Sequence, residues 1–456
     1  MEKRGLMMSV VQEKLGTQTV TKSFFQYFIP AVLGMMLLSI NIVIDGIFIG
    51  NGVGSVALAS VNVASPYFSV IISITLLIGI GGGTLYSMAM GRGDINQAQK
   101  TFTVSMLLVV VITIMISIFT YLNLETTARI FGANDETMPY VLEYMLVLLA
   151  FSLVIGLETC LSIFVRNDGN PRLAMISLIL SSLINIVLNY WMIFILDWEV
   201  FGAALATVLA TLIGLLILAT HFFKKGAGLK FVKFNWNIKE TIRIITIGFP
   251  SFLSEVGIVI FVVGYNIMIA YYAGTQGLAA FSVINYIHTF TFLLFIGIGS
   301  SIQPMISYYY GAGKYSMIQE TIKIAEKAAL IMGVLFIFAG MFGAELFVKI
   351  FGITSPVITD LATRGIRLFF IGYLFMGINF IYTTYYQSTS HIRPSIGIII
   401  FRGFILLIAL LYLLPLWLKV DGIWLALPIA EALVAIFLIV FARKGIMNRL
   451  ERGYAS

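Results

Sequence analysis

Cysteine is almost absent from this chain: Cys160 stands alone, inside an apolar run. An intramolecular disulfide is therefore impossible and a cysteine metal centre has no further ligands, which leaves a buried structural thiol as the reading. Histidine is nearly as scarce. His221, His288 and His391 are scattered along the sequence, so no histidine metal site is expected. Charge is the third shortage. Only 11% of the 456 residues are charged, where a soluble domain carries roughly 25%, and so small a polar surface cannot coat a globule. Several chemistries also lack their motifs. No Walker sequence is present to argue for ATP as an energy source, and the glycines from Gly79 to Gly83 lie inside an apolar span without the ending of a phosphate loop; they read as sites of close helix packing. No HExxH, paired-aspartate or clustered Ser/His/Asp pattern points to an enzyme. A polar stretch of about 20 residues precedes the first apolar run without a cleavage-like site, so no secretory leader is expected.

What fills the chain instead is apolar residue, 60% of the whole, with a mean hydropathy of +1.00. The apolar runs are about 20 residues long, the length of a helix crossing a hydrocarbon layer of about 30 Å. They lack the period-two alternation of a membrane β-strand. Twelve spans are predicted: 22–49, 56–88, 97–122, 137–164, 172–197, 200–222, 240–273, 277–307, 316–341, 356–388, 394–418 and 420–443. Displaced by 220 residues, the sequence lies over itself. Pro30 meets Pro250, Gly91-Arg92-Gly93 meets Gly311-Ala312-Gly313, Ile130-Phe131-Gly132 meets Ile350-Phe351-Gly352, and Gly202 meets Gly422. A single offset held across so many constrained positions marks a duplication.

The expected architecture is an all-α membrane protein whose twelve transmembrane helices form two parallel six-helix bundles, related by a pseudo-twofold axis along the membrane normal. An N-terminal lobe takes 1–222, a cytoplasmic linker 223–239 and a C-terminal lobe 240–456. Of the 28 Lys and Arg residues, all but Arg129, Lys349, Arg364, Arg367 and Lys419 fall at the chain ends, in the linker or on the linker's side of the spans. This bias, rather than nucleic-acid binding, accounts for the net charge of +7, and it places both termini in the cytoplasm of a multi-pass cell-membrane protein. Two bundles facing one another across a cavity suit alternating access, and a cavity complete within one chain makes a monomer sufficient.

Acids inside a membrane span are costly and usually functional. Asp45, in LSINIVIDGIFIG, lies four residues before the outer end of the first span; Asn189 is in INIVLNYWMIF of the fifth and Thr207 in GAALATVLA of the sixth. At 1.5 Å per residue all three lie about 6–12 Å below the outer surface, and Asn185 is one turn from Asn189 on the same face. One carboxylate, two amides and a hydroxyl at similar depth can make an oxygen-lined site for Na⁺ or a proton; the alternative is a set of interhelical hydrogen bonds. Asp45 falls on Tyr265 in the second half, so the site is not duplicated. Glu255, five residues after Pro250, is placed to neutralise a cationic substrate or take up a proton, with Gln303 and His288 as weaker candidates; His288 reads more readily as a packed polar residue. Glu158 and Arg166 are eight residues apart and not expected to pair directly, and the sequence leaves open whether Arg402 and Glu431 do.

These features together resemble the multidrug and toxic compound extrusion (MATE) family over essentially the whole chain, most closely its DinF- and MepA-like bacterial branch. The resemblance rests on INIVIDGIFIG, INIVLN, GAALATVLA and the Gly-x-Gly turns after the second and eighth spans. It implies antiport of amphipathic organic cations against H⁺ or Na⁺, with no other cofactor and no metal beyond Na⁺ at Asp45. It also implies a coupling site at Asp45, Asn185, Asn189 and Thr207, with Asn189 standing where relatives commonly have Asp, and a first helix that reshapes near Pro30, Gly34 or Gly46. A flippase for lipids or lipid-linked saccharides, from the same broader superfamily, is the rival; it calls for basic residues in the spans, where acids stand here.

Overall fold

The computed structural model describes residues 15–451, and among them every regular element is a helix. The first six long helices are α1 (Val20–Gly52), α2 (Ser55–Gly91), α3 (Ile95–Leu122), α4 (Met138–Asn167), α5 (Pro171–Ile195) and α6 (Glu199–Phe223). A continuous helical stretch, Ile238–Gly311, breaks conformation at Gly274 (φ 58°, ψ −152°), which divides it into α7 (238–273) and α8 (275–311). α9 (Tyr315–Ile350), α10 (Pro356–Ser388), α11 (Ile392–Leu418) and α12 (Val420–Glu451) complete the set. All twelve are apolar and long enough to cross a bilayer, and large side chains such as Phe119, Leu122, Phe342, Trp417 and Phe441 remain exposed on them, as a lipid-facing surface requires. The protein is a multi-pass membrane protein. The polar N-terminal stretch and the chain ends, whose sidedness the charge bias addresses, fall largely outside the described residues.

The helix ends depart from the hydropathy reading in two places. α9 runs to Ile350 and α12 to Glu451, well past the expected 341 and 443. Both extensions carry charged residues, which end an apolar window without ending a helix. α12 continues because Arg443 reaches across to Glu326 of α9 (2.9 Å), which also accepts from Tyr382 of α10 (2.8 Å).

The backbone repeats as the sequence does. Positive φ recurs at the same displacement: Gly54 (124°) with Gly274 (58°), Gly93 (78°) with Gly313 (69°), and Gly132 (105°) with Gly352 (70°). Even two residues with side chains repeat it, Glu199 (43°) and Lys419 (51°), where α6 and α12 begin.

The chain divides into two compact units. The first holds Ile29–Phe252 with the described residues before Val20; the second holds Val20–Phe28 and the described residues from Leu253 onward. In the first, Tyr67 of α2 donates to Ser152 of α4 (3.1 Å) and Ser177 of α5 to the Gly214 carbonyl of α6 (2.8 Å), the small-residue and hydroxyl packing usual between membrane helices. The start of α7 belongs to this unit and lies so close to α2 that a Cβ on Gly248 would sit 1.6 Å from Leu77 O. The glycines near 79–83 serve the same close packing: a Cβ at Gly82 would meet Ser105 Oγ at 2.1 Å. Cys160 is buried there as a free thiol. Asp168, at the end of α4, fastens the chain between α6 and α7. It accepts from Tyr86 Oη, the Gly228 amide and His221 Nε2, each at 2.7 Å. In the second unit an aromatic core forms around Phe295, Phe369, Tyr373 and Trp424.

Candidate functional site

Asp45 is carried on α1, one turn beyond Asn41, so both project from one face. α5 presents Asn185 and Asn189 by the same spacing and then widens into a π turn at Trp191–Ile195. α6 packs closely on that turn, because a Cβ on Gly202 would lie 3.0 Å from Met192 Cβ and Trp198 Cβ. Three helices of the first unit thus converge, and their polar side chains join. Asn189 Nδ2 donates to Asp45 Oδ1 (2.7 Å), and Asn41 Nδ2 to Asp45 Oδ2 (3.2 Å). Asn189 Nδ2 also reaches Asn185 Oδ1 (3.2 Å), Asn185 Nδ2 reaches Thr207 Oγ1 (3.3 Å), and Thr207 donates to the Ala203 carbonyl (3.1 Å). Asn41, Asn185 and Asn189 are all buried.

Oxygen acceptors crowd the centre of this cluster. Asn185 Oδ1 stands 2.9 Å from Asp45 Oδ1, 3.2 Å from Asp45 Oδ2 and 3.1 Å from Asn41 Oδ1. Acceptors at hydrogen-bond distance repel unless a proton or a cation lies between them, or unless the amide turns over. Turned over, Asn185 would donate to Asp45 and accept from the Thr207 hydroxyl at 3.3 Å. Asn189 Oδ1 is buried and has no partner among the described residues. The donor set is oxygen alone and carries one carboxylate, which suits a hard monovalent cation or a proton. No cluster of His, Cys, Asp and Glu able to hold a metal ion occurs among the described residues. The same helices, with α2 and α4, carry an apolar cluster, in which Ile49, Ala57, Ile193, Val200 and Ala203 are buried and Phe48, Tyr140 and Tyr144 pack on them.

The structure thus brings together Asp45, Asn185, Asn189 and Thr207, and adds Asn41. That residue escapes sequence reading although it lies in the same segment as Asp45; the i, i+4 rule that links Asn185 to Asn189 would have found it. Glu255, Gln303 and His288 belong to the second unit. Glu255 of α7 is partly buried and makes no hydrogen bond or ion pair among the described residues. Gln303 of α8 is buried, with Nε2 3.4 Å from Ser307 Oγ. His288 is packed among Phe261, Phe292 and Phe369, with Nδ1 3.0 Å from the Tyr373 hydroxyl. Arg166 donates to the Ser162 carbonyl of its own helix (3.4 Å) rather than to Glu158. Arg402 and Glu431 do pair, at 3.1 Å. Of the flexing candidates, Pro30 lies within an unbroken α1, Gly34 faces Leu178 so closely that a Cβ there would lie 3.0 Å from Leu178 Cδ2, and Gly46 has open space around it.

Comparison with known proteins places the chain. It is 28% identical over 440 residues to the multidrug export protein MepA of Staphylococcus haemolyticus, covering 96% of each chain. It is 27% identical to MepA of Staphylococcus aureus over 422 residues, 91% of this chain and 92% of the relative. A solved multidrug-resistance MATE family transporter in an outward-facing conformation superposes with a TM-score of 0.92, at 22% identity over 99% of this chain and all of the other, and shows the same fold. The MatE family profile matches twice, at residues 30–191 and 250–413, one match in each half of the duplication; the chain belongs to the MatE family.

Proposed function

We propose that this protein exports small amphipathic, mostly cationic compounds across the cell membrane by alternating access, in exchange for H⁺ or Na⁺ bound at Asp45, Asn41, Asn185, Asn189 and Thr207. The observation that carries the coupling role is the convergence of three buried amides and a hydroxyl, from α1, α5 and α6, on a single half-buried carboxylate, with Asn189 and Asn41 donating to Asp45 at 2.7 and 3.2 Å. The names of the MepA relatives support the substrate class. In this reading both termini are cytoplasmic, each half of the duplication acts as one lobe, and a single chain suffices. α1 is the element that responds to the ion. It carries Asp45 and Asn41, it has lost a backbone hydrogen bond at Pro30, and its contacts change from one unit to the other between Phe28 and Ile29. Glu255, without a partner among the described residues, is available to a cationic substrate.

Proteoliposomes loaded with a fluorescent organic cation test the proposal under separately imposed Na⁺ and proton gradients. Wild type should export under one of them, which names the ion. Asp45→Asn should remain folded and fall to the level of empty liposomes. Export that survives the substitution removes the coupling role; labelled lipid equilibrating between leaflets, with no cation exported, installs the flippase instead.

A further inference from the structure

The second unit buries an ion pair that export as described leaves unused. Arg402 of α11 directs Nη1 at both carboxylate oxygens of Glu431 in α12, 3.1 and 3.3 Å away. Its guanidinium lies over the ring of Phe380, 4.5 Å from the centroid. Asn379 of α10 donates to Glu431 Oε2 at 2.6 Å, while its own Oδ1 is buried with no partner among the described residues. Asn379 is 0% exposed, Glu431 3% and Arg402 8%. Arg402 lies in a π turn, Phe401–Ile405, a geometry frequent at functional sites.

The place of this pair in the repeat gives it a meaning. Asp45 and Thr207 belong to the oxygen cluster of the first unit. The displacement that carries Pro30 to Pro250 and Gly202 to Gly422 carries them to Tyr265 and Leu427, and these two also touch: the Leu427 amide donates to Tyr265 Oη at 3.0 Å. Glu431 is one turn along α12 from Leu427, on the same face. The second unit therefore keeps a carboxylate one turn from the repeated position, with the amide of Asn379 from α10 bonded to it, and so an oxygen acceptor of the same hard character as in the first. A side chain of the protein itself supplies the positive charge.

We propose that Arg402 is the tethered occupant of a monovalent-cation site built from Glu431 and Asn379, and that by filling this site it confines ion coupling to the first unit. The inference builds on the coupling role given to Asp45. Arg402 is then a specificity-determining residue, since it sets how many ions the protein binds. A buried ion pair kept only for structure makes a different prediction: removing its cation would leave Glu431 to take a proton, and no alkali ion would bind.

Equilibrium binding of radioactive sodium to the purified full-length protein separates the two. The set is wild type, Arg402→Lys, Arg402→Met, Arg402→Gln and the double variant Arg402→Met/Glu431→Gln, each with and without Asp45→Asn. Arg402→Lys keeps a tethered cation and should match wild type. Arg402→Met and Arg402→Gln should each gain a saturable component of about one equivalent per chain, with a sodium-dependent rise in melting temperature. That component should persist beside Asp45→Asn and vanish with Glu431→Gln. Neutral variants that are monodisperse yet gain no sodium, or gain only a proton in weakly buffered solution, overturn the inference. Collapse of both neutral variants even in high sodium overturns it too, because a site that a free ion can fill would be rescued by that ion. Should wild type bind sodium and keep that binding with Asp45→Asn, or take up a proton on sodium-free titration that Asp45→Asn does not remove, the coupling role of Asp45 fails, while the difference between Arg402→Met and Arg402→Lys still decides the role of Arg402.

Discussion

The two halves of this chain repeat one backbone and carry different chemistry. Left-handed residues recur at 54 and 274, 93 and 313, 132 and 352, and 199 and 419. Side chains at repeated positions do not: Asp45 corresponds to Tyr265, Thr207 to Leu427 and Asp168 to Ser388. The difference shows where each kind of constraint resides. Turns between helices fix the backbone, so they keep their conformation after duplication, with glycine at three of the four pairs and Glu199 and Lys419 sharing only the φ. A polar cluster inside a membrane helix bundle is tied to its own partners, and the repeated position in the other half has been given over to aromatic packing. Tyr265 shows the outcome, fully buried and stacked on Phe281 at 5.2 Å.

The strongest contrast in stability is at the ends of α4 and α10. Asp168 accepts four hydrogen bonds, from Tyr86, His221 and the amides of Gly228 and Leu229, and so holds the segment that links the two repeats. Ser388, its counterpart, has a buried hydroxyl with no partner among the described residues. Asp168→Ala leaves two amides, a phenol and an imidazole unsatisfied and should cost about 3 kcal/mol or more, whereas Ser388→Ala should stay within about 1 kcal/mol. Thermal unfolding in detergent measures both. Limited proteolysis adds a local readout, with earlier cleavage at Lys224, Lys225 and Lys230 expected in the Asp168 variant alone. Equal losses in the two variants would mean that the anchoring is not particular to the first repeat.

Much of this organisation is legible in the sequence, for reasons that differ by level. Twelve spans follow from hydropathy alone, and the duplication follows from Pro and Gly because those residues report backbone geometry directly. Asp45, Asn185, Asn189 and Thr207 stand out because each is polar in an apolar run. Asn41 is overshadowed by the acid beside it, and it should matter less than the acid. Asn41→Ala removes the 3.2 Å bond to Asp45 Oδ2 but no ion-binding charge. Its expected effect is roughly a tenfold loss of apparent affinity for the coupling ion, in the lower range seen when a group supporting a ligand is removed. The aligned position in the second half is Phe261, packed on Tyr265 at 4.7 Å, and a substitution there should leave ion affinity unchanged. Other features are hidden because they depend on tertiary contact. Nothing in the spacing shows that Asp168 captures a chain 60 residues further on through Gly228. Nor can two helices' separate charges reveal the Arg402–Glu431 pair until the helices are packed.

The smallest expected effect tests the symmetry itself. Gly93 and Gly313 end corresponding helices in the left-handed region, and a Cβ at either would meet nothing within 4 Å. Substitution by alanine should therefore cost only the backbone strain, about 1–2 kcal/mol at each site, with no steric part to blur the comparison. Because the two turns differ in φ by only 9°, from 78° to 69°, the two losses should agree, and with no shared partner the double variant should show their sum to within about 0.5 kcal/mol. Thermal melting of the two single variants and the double decides this. Unequal single losses would show that one turn carries tertiary load that the backbone repeat does not record. A double loss well below the sum would show that the two repeats do not unfold together, so that the second glycine no longer limits stability once the first is replaced.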